Sequence, residues 1–428
     1  MTDFEDFARR LDALGMFSMD LTLGRMAAFV ARAGRPAFSV LHVVGTNGKG
    51  STATVLAELL RAHGLRTGLY TSPHFVSVRE RVRVDGALLS ESDWARLGAR
   101  ALELSADLNL TYFELLTAVA LLAFAEAGCD AAVMEAGLGG RYDATSVLDP
   151  EITVFTPIGM DHMNILGATL AEIAGDKAGA MRHGGLAVSA PQDAVAGDVL
   201  AHAARTVGAE FVAAADVLRY SRAGGAVEPG PAGRDCAPAM DGLALGLAGP
   251  HQEDNAATAL AAFCLWAARR KLPVRPAACR AAFAAAFIPG RMQFTPAGRG
   301  LPPLILDGGH NAHGLAALKR ALEAGGVRPS ALIFGCLRDK PLDQMLPLAR
   351  TFIRGRMIAC GIPSCARACE PAELAARLGP CVEACDDVGA ALGELSGEAG
   401  PVLVCGSLYL LGEFYTQHPW LLERAGQA

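Results

Sequence analysis

The run Val40-Leu41-His42-Val43-Val44-Gly45-Thr46-Asn47-Gly48-Lys49-Gly50-Ser51-Thr52 decides how this chain is read. Residues 40–44 predict a short buried strand, and residues 51–63 predict a helix. Between them lie Gly45, Gly48 and Gly50 with a lysine among them. Glycines let successive backbone N–H groups turn inward around an anion. The helix N-terminus adds a favourable dipole. Lys49 has the length to reach β- and γ-phosphates, and nearby hydroxyls suit a metal ion. The spelling departs from the common GxxxxGK[ST] loop, since Val43 stands at the first glycine position and Gly50 separates Lys49 from Ser51. A lysine inside a turn flanked by strand and helix favours phosphate binding over an ordinary glycine-rich turn.

Outward from this loop, short apolar runs alternate with helical segments. Residues 67–71, 131–135 and 152–156 read as further strands, and 111–127 as a helix, which together predict a parallel α/β sheet. Residues 223–241, rich in Gly, Pro and Ala, read as a surface excursion. Residues 296–303 (PAGRGLPP) read as an interdomain linker. The alternation then restarts with strands at 304–306, 331–334, 357–360 and 402–405 and a helix over 311–324. The expectation is two α/β domains: a P-loop-type parallel-sheet ATPase domain over 1–297 and a smaller Rossmann-like domain over 303–428.

Composition narrows the function classes. With 428 residues, 52% hydrophobic and 19% charged, the chain can build a large core and is not disordered. A net charge of -6 argues against a nucleic-acid binder. The mean hydropathy of +0.29 owes much to alanine. The apolar stretches at 115–125 and 256–268 fall short of the roughly 20 residues that cross a bilayer. The acidic start Met1-Thr2-Asp3-Phe4-Glu5-Asp6 carries no leader pattern, so a cytoplasmic protein is expected. Eleven cysteines form no CxxC pair, and the cluster Cys360, Cys365, Cys369, Cys381, Cys385 fits no common zinc spacing. They read as buried or half-buried thiols.

Three segments follow predicted strands at one sheet edge: residues 71–74 (TSPH), 135–143 (EAGLGGRYD) and 159–164 (GMDHMN). Ligands of open parallel sheets collect beyond the carboxyl ends of the strands. Ser72, Glu135 and His162 would converge there beside the phosphate loop, offering mostly oxygen to a hard cation. Taken singly, Ser72 reads as turn chemistry before Pro73, Glu135 as a loop cap and His162 as a satisfied structural group.

At these residues the sequence resembles the folylpolyglutamate synthase and dihydrofolate synthase family, within the Mur-type ligases. The resemblance spans nearly the whole chain. It rests on 42–51 (HVVGTNGKGS), 70–74 (YTSPH), 135–145, 159–162 (GMDH), 251–257 (HQEDNAA), 289–291 (PGR), 306–311 (LDGGHN) and 405–410 (CGSLYL). It implies that Asn47, Gly48, Lys49, Gly50 and Ser51, with Asn255, Arg291 and Asp307, bind ATP. It implies Mg²⁺ at two sites, held by Ser72, Glu135, His162 and a carbamylated Lys177, with room for a monovalent cation. It places residues 20–25, Thr111, Tyr112, Phe113, Glu114, Tyr142, Asp143 and Ala144 on the pterin side. Ser407 and His310 join the substrate and catalytic groups, with Lys49, Lys177 and Asp307. Without the resemblance Lys177 would read as a surface helix lysine. Departures are Thr22 for glycine, Gly309 for alanine and Ala312 for proline.

The implied reaction is ATP-dependent ligation of L-glutamate to dihydropteroate and to folate polyglutamates, by a monomer that binds neither nucleic acid nor membrane. A substrate carboxylate would attack the γ-phosphate of ATP, and the glutamate amine would then attack the acyl phosphate. Three other readings stay open at this point: folylpolyglutamate synthase activity alone, another Mur-type amide ligase, and a non-catalytic ATP-binding regulatory protein.

Overall fold

The structure, a computed structural model, describes residues 3–15 and 22–424. Its first sheet contains β1 (Ser39–Val44), β2 (Thr67–Tyr70), β3 (Val82–Val84), β4 (Ala87–Leu88), β5 (Ala131–Glu135), β6 (Ile152–Phe155), β7 (Leu186–Ser189) and β8 (Glu210–Ala213). They lie in the order β4-β3-β2-β5-β1-β6-β7-β8. Strand β1 is buried at every residue and pairs in parallel with β5 on one side and β6 on the other. A run such as SVLHVV, with no polar alternation, is what a strand covered on both faces requires. Only β3 and β4 run antiparallel to their neighbours.

Register brings the strand ends level. Val43 pairs with Glu135, Val44 with Phe155, and Tyr70 with Met134. The segments leaving β1, β2, β5 and β6 therefore emerge along one edge, as the sequence predicts. The helix Lys49–Ala62 follows β1 directly and buries Val55, Leu56, Leu59 and Leu60. The helix Tyr112–Glu126 is apolar almost all round and is buried from Leu115 to Phe124. It sits in a core with Phe29, Tyr70, Trp94 and Met134.

Residues 223–241 do more than wander over the surface. Strand β9 (Leu218–Ser221) pairs antiparallel with β10 (Ala226–Pro229), and Val227 and Met240 are buried. Apolar side chains at these two positions give the glycine- and proline-rich stretch something to pack.

The chain divides into two units, residues 1–245 with 253–286, and residues 246–252 with 287–428. The second unit holds β11 (Gln293–Thr295), β12 (Leu304–Asp307), β13 (Ala331–Phe334), β14 (Arg356–Cys360), β15 (Glu383–Cys385) and β16 (Val402–Cys405), in the order β11-β12-β16-β13-β14-β15. All neighbours are parallel except β11 and β12. The linker expected at 296–303 is instead the turn of that hairpin. Gly298 and Leu301 exchange backbone hydrogen bonds around Arg299 (φ 51°) and Gly300 (φ 80°). Two central residues with positive φ are the mark of a tight hairpin turn.

All eleven cysteines are free thiols, and only Cys381 is exposed. Among the described residues no helix is long and apolar enough to cross a membrane.

Candidate active site

The loop after β1 is held from behind by the loop after β6. The N–H groups of Thr46 and Asn47 both donate to Pro157 O, at 3.1 and 3.2 Å. Thr46 Oγ1 donates to Gly159 O and accepts from Gly159 N–H, both at 3.1 Å. Gly48 has φ 83°, and a Cβ there would run into Asn255 Oδ1. Asn255 is buried and stands on the helix Pro250–Arg269. Lys49 Nζ donates to Thr46 O at 3.3 Å, so its ammonium folds over the loop it belongs to.

Glu135 ends β5 at the mouth of this loop and is 3% exposed. A Cβ on Gly50 would lie 3.6 Å from Glu135 Oε2. The same oxygen accepts the Ser72 N–H at 3.0 Å. Ser72, Glu135 and the phosphate loop are therefore one cluster. The third candidate is His162. It is exposed, has φ 51°, and stands at the head of the short helix Met163–Leu166. Among the described residues no three His, Cys, Asp or Glu side chains stand together as a ready metal cage.

Lys177 lies under the loop. It is 4% exposed, and its Nζ donates to Gly45 O at 2.8 Å. Burial, with the Lys49 ammonium as a second cause, pushes it down to about 7. A lysine in that range is half un-ionised at neutral pH. The surface reading of this lysine does not hold.

The pterin-side candidates divide. Thr111 caps the helix Tyr112–Glu126 in a reciprocal box with Glu114. Glu114 also takes both an Nε and an Nη hydrogen bond from Arg25, at 2.9 and 3.1 Å. Phe113 fills the space that a side chain on Gly137 would need, and its ring lies 5.7 Å from Tyr70. Tyr142 is exposed, whereas Tyr112 and Ala144 are buried. Of the expected segment 20–25, Asp20 and Leu21 lie outside the described residues, and Thr22 is exposed.

Asp143 is also turned inward. Its carboxylate accepts from Leu138 N–H at 2.9 Å and from Thr145 N–H at 3.0 Å. Thr145 Oγ1 donates to it as well, and in turn faces His42 Nε2 at 2.7 Å. Burial pushes Asp143 up, against the pull of these donors. Burial, then the Arg182 charge, pushes His42 down to about 3, so its ring is neutral. With the Thr145 hydroxyl proton given to Asp143, His42 is the Nε2–H tautomer.

In the second unit Asp307 ends β12 and is buried. It accepts from Met292 N–H at 3.0 Å and Gly309 N–H at 2.8 Å. Burial pushes it up, opposed by Arg291 and these donors. His310 Nδ1 lies 3.0 Å from Gly308 O. Asn311 caps the helix Ala312–Ala324, and Ser407 caps the helix Leu408–Gln417. Asp307 thus shapes the loop carrying Arg291 and His310, whatever else it contacts.

Comparison with known proteins decides the family. The Mur ligase middle domain matches residues 43–263, and the Mur ligase glutamate ligase domain matches residues 290–408. A dihydrofolate synthase/folylpolyglutamate synthase of Bacillus subtilis is 33% identical over 366 residues, covering 82% of this chain and 83% of that protein. Its Escherichia coli counterpart is 34% identical over 351 residues, covering 80% and 78%. This chain belongs to the dihydrofolate synthase/folylpolyglutamate synthase family of Mur-type ligases. Solved structures agree. The E. coli FolC complex with DHPP and ADP superposes with a TM-score of 0.87 at 31% identity, covering 98% of both chains. The Yersinia pestis bifunctional enzyme complexed with AMPPNP and a Mn ion gives 0.86 at 30% identity, again over 98% of each.

Within this family fold, sequence reading missed the chain from His42 through Thr145 to Asp143. It also missed Asp176, which accepts from Gly140 N–H at 2.9 Å and so fixes the glycine loop after β5. A buried His inside an otherwise aliphatic strand was the available signal for the first. Nothing in spacing announces the second.

Proposed function

We propose that this protein is a bifunctional dihydrofolate synthase/folylpolyglutamate synthase. It ligates L-glutamate to dihydropteroate and to folate polyglutamates with ATP and a divalent metal. The observation that carries the reading is the loop at 45–51, with Glu135 against Gly50 and Lys177 beneath Gly45. A relative crystallised with DHPP and ADP, and another with Mn, AMPPNP and L-glutamate, support it.

A carboxylate is a poor electrophile, so it must first be activated. Its oxygen attacks the γ-phosphorus of ATP, which gives an acyl phosphate and ADP. The uncharged glutamate amine then attacks the acyl carbon, the amide forms and phosphate leaves. Backbone N–H groups of the loop and Lys49 hold the phosphates and offset charge on the transferring group. Asn255 backs the loop at Gly48. A bound divalent ion would supply further charge neutralisation, and Ser72, Glu135 and His162 would hold it. Lys177 fits the carbamate assignment: its un-ionised amine is the form that adds carbon dioxide, losing one proton and becoming an anion. Arg291 and Asp307 are assigned to ATP, and His310 and Ser407 to the glutamate end of the reaction. Phe113 and Tyr142 offer rings to the pterin. The unit of residues 1–245 with 253–286 would carry the phosphate loop and the folate side, and the unit of 246–252 with 287–428, rather than 303–428 alone, the glutamate end. The free thiols favour a reducing compartment, the cytosol.

The test is phosphate release and product mass with ATP, Mg²⁺, glutamate and either dihydropteroate or tetrahydrofolate. Both acids are expected to gain one glutamate. Lys49→Ala is expected to lose roughly 10²–10³ in turnover, the loss seen when one donor to a developing charge is removed. No ADP from either acid would overturn the assignment.

A further inference from the structure

Two thiols in the second unit face each other without being bonded. Cys336 Sγ–H donates to Cys369 Sγ at 3.8 Å, and both residues are buried, Cys369 at 6% exposed. Backbone register puts them there. Leu337 and Ala368 form an antiparallel bridge, with Arg338 N–H donating to Arg367 O and Cys369 N–H to Cys336 O, both at 2.9 Å. Cys336 and Cys369 are therefore directly opposed at a hydrogen-bonded position, where Cα atoms stand about 5.5 Å apart. A disulfide spans about 4.4–6.8 Å between Cα atoms. A second pair in register, Cys360 on β14 with Cys385 on β15, lacks the sulfur contact, since the Cys360 thiol donates to Gly361 O.

The two sulfurs differ in chemistry. The hydrogen bond from Cys336 holds the Cys369 thiol below the usual cysteine range, against burial and Glu373 and with help from Arg338 and Arg377. The same bond, then burial, pushes Cys336 up. Cys369 also stands two residues before the helix Pro371–Leu378, where the helix dipole favours a thiolate. One nucleophilic thiol beside one resolving thiol is the arrangement of a redox-responsive pair. The pair also adjoins the residues assigned to the glutamate end. Gly335, next to Cys336, donates its N–H to Cys405 O at 3.3 Å, and a Cβ on Gly406 would lie 2.5 Å from Gly335 O. Gly406 N–H donates to Gly309 O at 3.1 Å. Gly406 precedes Ser407, and Gly309 precedes His310. With no side chains between these backbones to yield, a shift at Cys336 reaches both residues.

We propose that Cys336 and Cys369 are a reversible thiol-modification site, whose closure to a disulfide weakens the glutamate end of the reaction. The effect on glutamate rests on the functional reading above, whereas the linkage does not. The oxidant is a low-molecular-weight disulfide. The Cys369 thiolate attacks one of its sulfurs, forms a mixed disulfide and releases one thiolate. The Cys336 sulfur then attacks Cys369 Sγ and expels the second thiolate. The two cysteine protons pass to the released thiolates, so two protein thiols are oxidised and one small disulfide is reduced to two thiols. Closure draws the sulfurs from 3.8 Å to about 2.05 Å.

The experiment treats the full chain with oxidised glutathione, maps cysteine linkages by peptide mass spectrometry, and measures ligation before and after dithiothreitol. Wild type is expected to show the Cys336–Cys369 linkage. Its kcat/KM for glutamate is expected to fall by roughly 10–100-fold, since a misplacement of about 1 Å can cost about 10²-fold. The KM for ATP is expected to hold, and dithiothreitol to restore the rate. Cys369→Ser is expected to keep full activity under oxidised glutathione. Cys336→Ala, lacking the resolving thiol, is expected to stop at a mixed disulfide on Cys369. Should either variant not fold, the wild-type map still reads the linkage. No Cys336–Cys369 linkage, or a linkage that leaves kcat/KM for glutamate unchanged, overturns the proposal. Untreated wild type that ligates no glutamate sinks the functional reading itself, while the mass map still decides the linkage.

Discussion

Lys177 Nζ and Gly45 O, 132 residues apart in the chain, meet at 2.8 Å beneath the phosphate loop. This bond joins the helix Leu170–Ala178 to the first residue after β1. It also places a titratable amine directly beneath the loop proposed to hold the phosphates.

The sign of its pH effect follows from that burial. The folded state holds Lys177 near 7, whereas an unfolded lysine titrates near 10.5. Between those values the unfolded chain binds the extra proton, so stability rises with pH across the window. The destabilising contribution is fully present below about 7. Lys177→Met should therefore raise the unfolding midpoint most at pH 6 and progressively less towards pH 10. Carbamate formation has its own signature. Wild-type activity should fall on removal of carbon dioxide and return with bicarbonate, while Lys177→Met stays inactive in both. A wild-type rate indifferent to bicarbonate would refute the carbamate assignment.

Gly48 should tolerate no side chain. Its φ of 83° disfavours L-residues, at about 1–2 kcal/mol. The added methyl would also displace the Asn255 amide. Gly48→Ala should raise the KM for ATP and lower the melting temperature by a few degrees. Because both changes disturb one contact, Gly48→Ala with Asn255→Ala should cost less than the sum of the single variants. Strict additivity in a double-mutant cycle on kcat/KM would show that the two residues act independently.

Glu114 illustrates a residue whose type was legible but whose task was not. The resemblance implies only that the run Thr111–Glu114 lies on the pterin side, and the structure shows Thr111 and Glu114 closing a capping box. The structure adds Arg25, which arrives from 89 residues away. Removing one partner of a buried pair leaves the other charge uncompensated, at about 3–5 kcal/mol. Arg25 is 19% exposed at its side chain, which moves the expected loss towards the lower end. Glu114→Ala should lose about that much in denaturant unfolding, and Thr111→Ala about 0.5–2 kcal/mol. A Glu114→Ala loss no larger than that of Thr111→Ala would mean that the Arg25 pair adds nothing.

The same contrast runs through the molecule. Strands such as residues 40–44, 131–135 and 402–405 were legible because buried parallel strands are written as unbroken apolar runs, a local property. The loop at 45–51 was legible because glycine and lysine chemistry is local too. Residues 296–303 misled because glycine and proline mark linkers and tight turns alike, and only the pairing of β11 with β12 separates the two. Lys177 was illegible as a buried group because its partner is the carbonyl of Gly45, fixed by tertiary packing. Asp143 is placed on the pterin side by the resemblance alone, and no local sign in the sequence announces that its carboxylate also turns inward. Its partners Leu138 and Thr145 are near in sequence, but the His42 that completes the network is on another strand.

That network yields the last prediction. His42 is neutral, shares its Nε2–H with Thr145, and through it supports the Asp143 carboxylate that pins the Leu138 N–H. Thr145→Val keeps the shape and removes the relay, leaving the His42 Nε2–H and one Asp143 lone pair unmatched. Each buried group so orphaned costs about 1–3 kcal/mol. The loop after β5 carries Tyr142, so its disturbance should raise the KM for the pterin acid more than the KM for ATP. Thr145→Ser retains the hydroxyl and should restore the KM ratio. If Thr145→Val and Thr145→Ser gave the same ratio, the hydroxyl relay would have no part in shaping the pterin side.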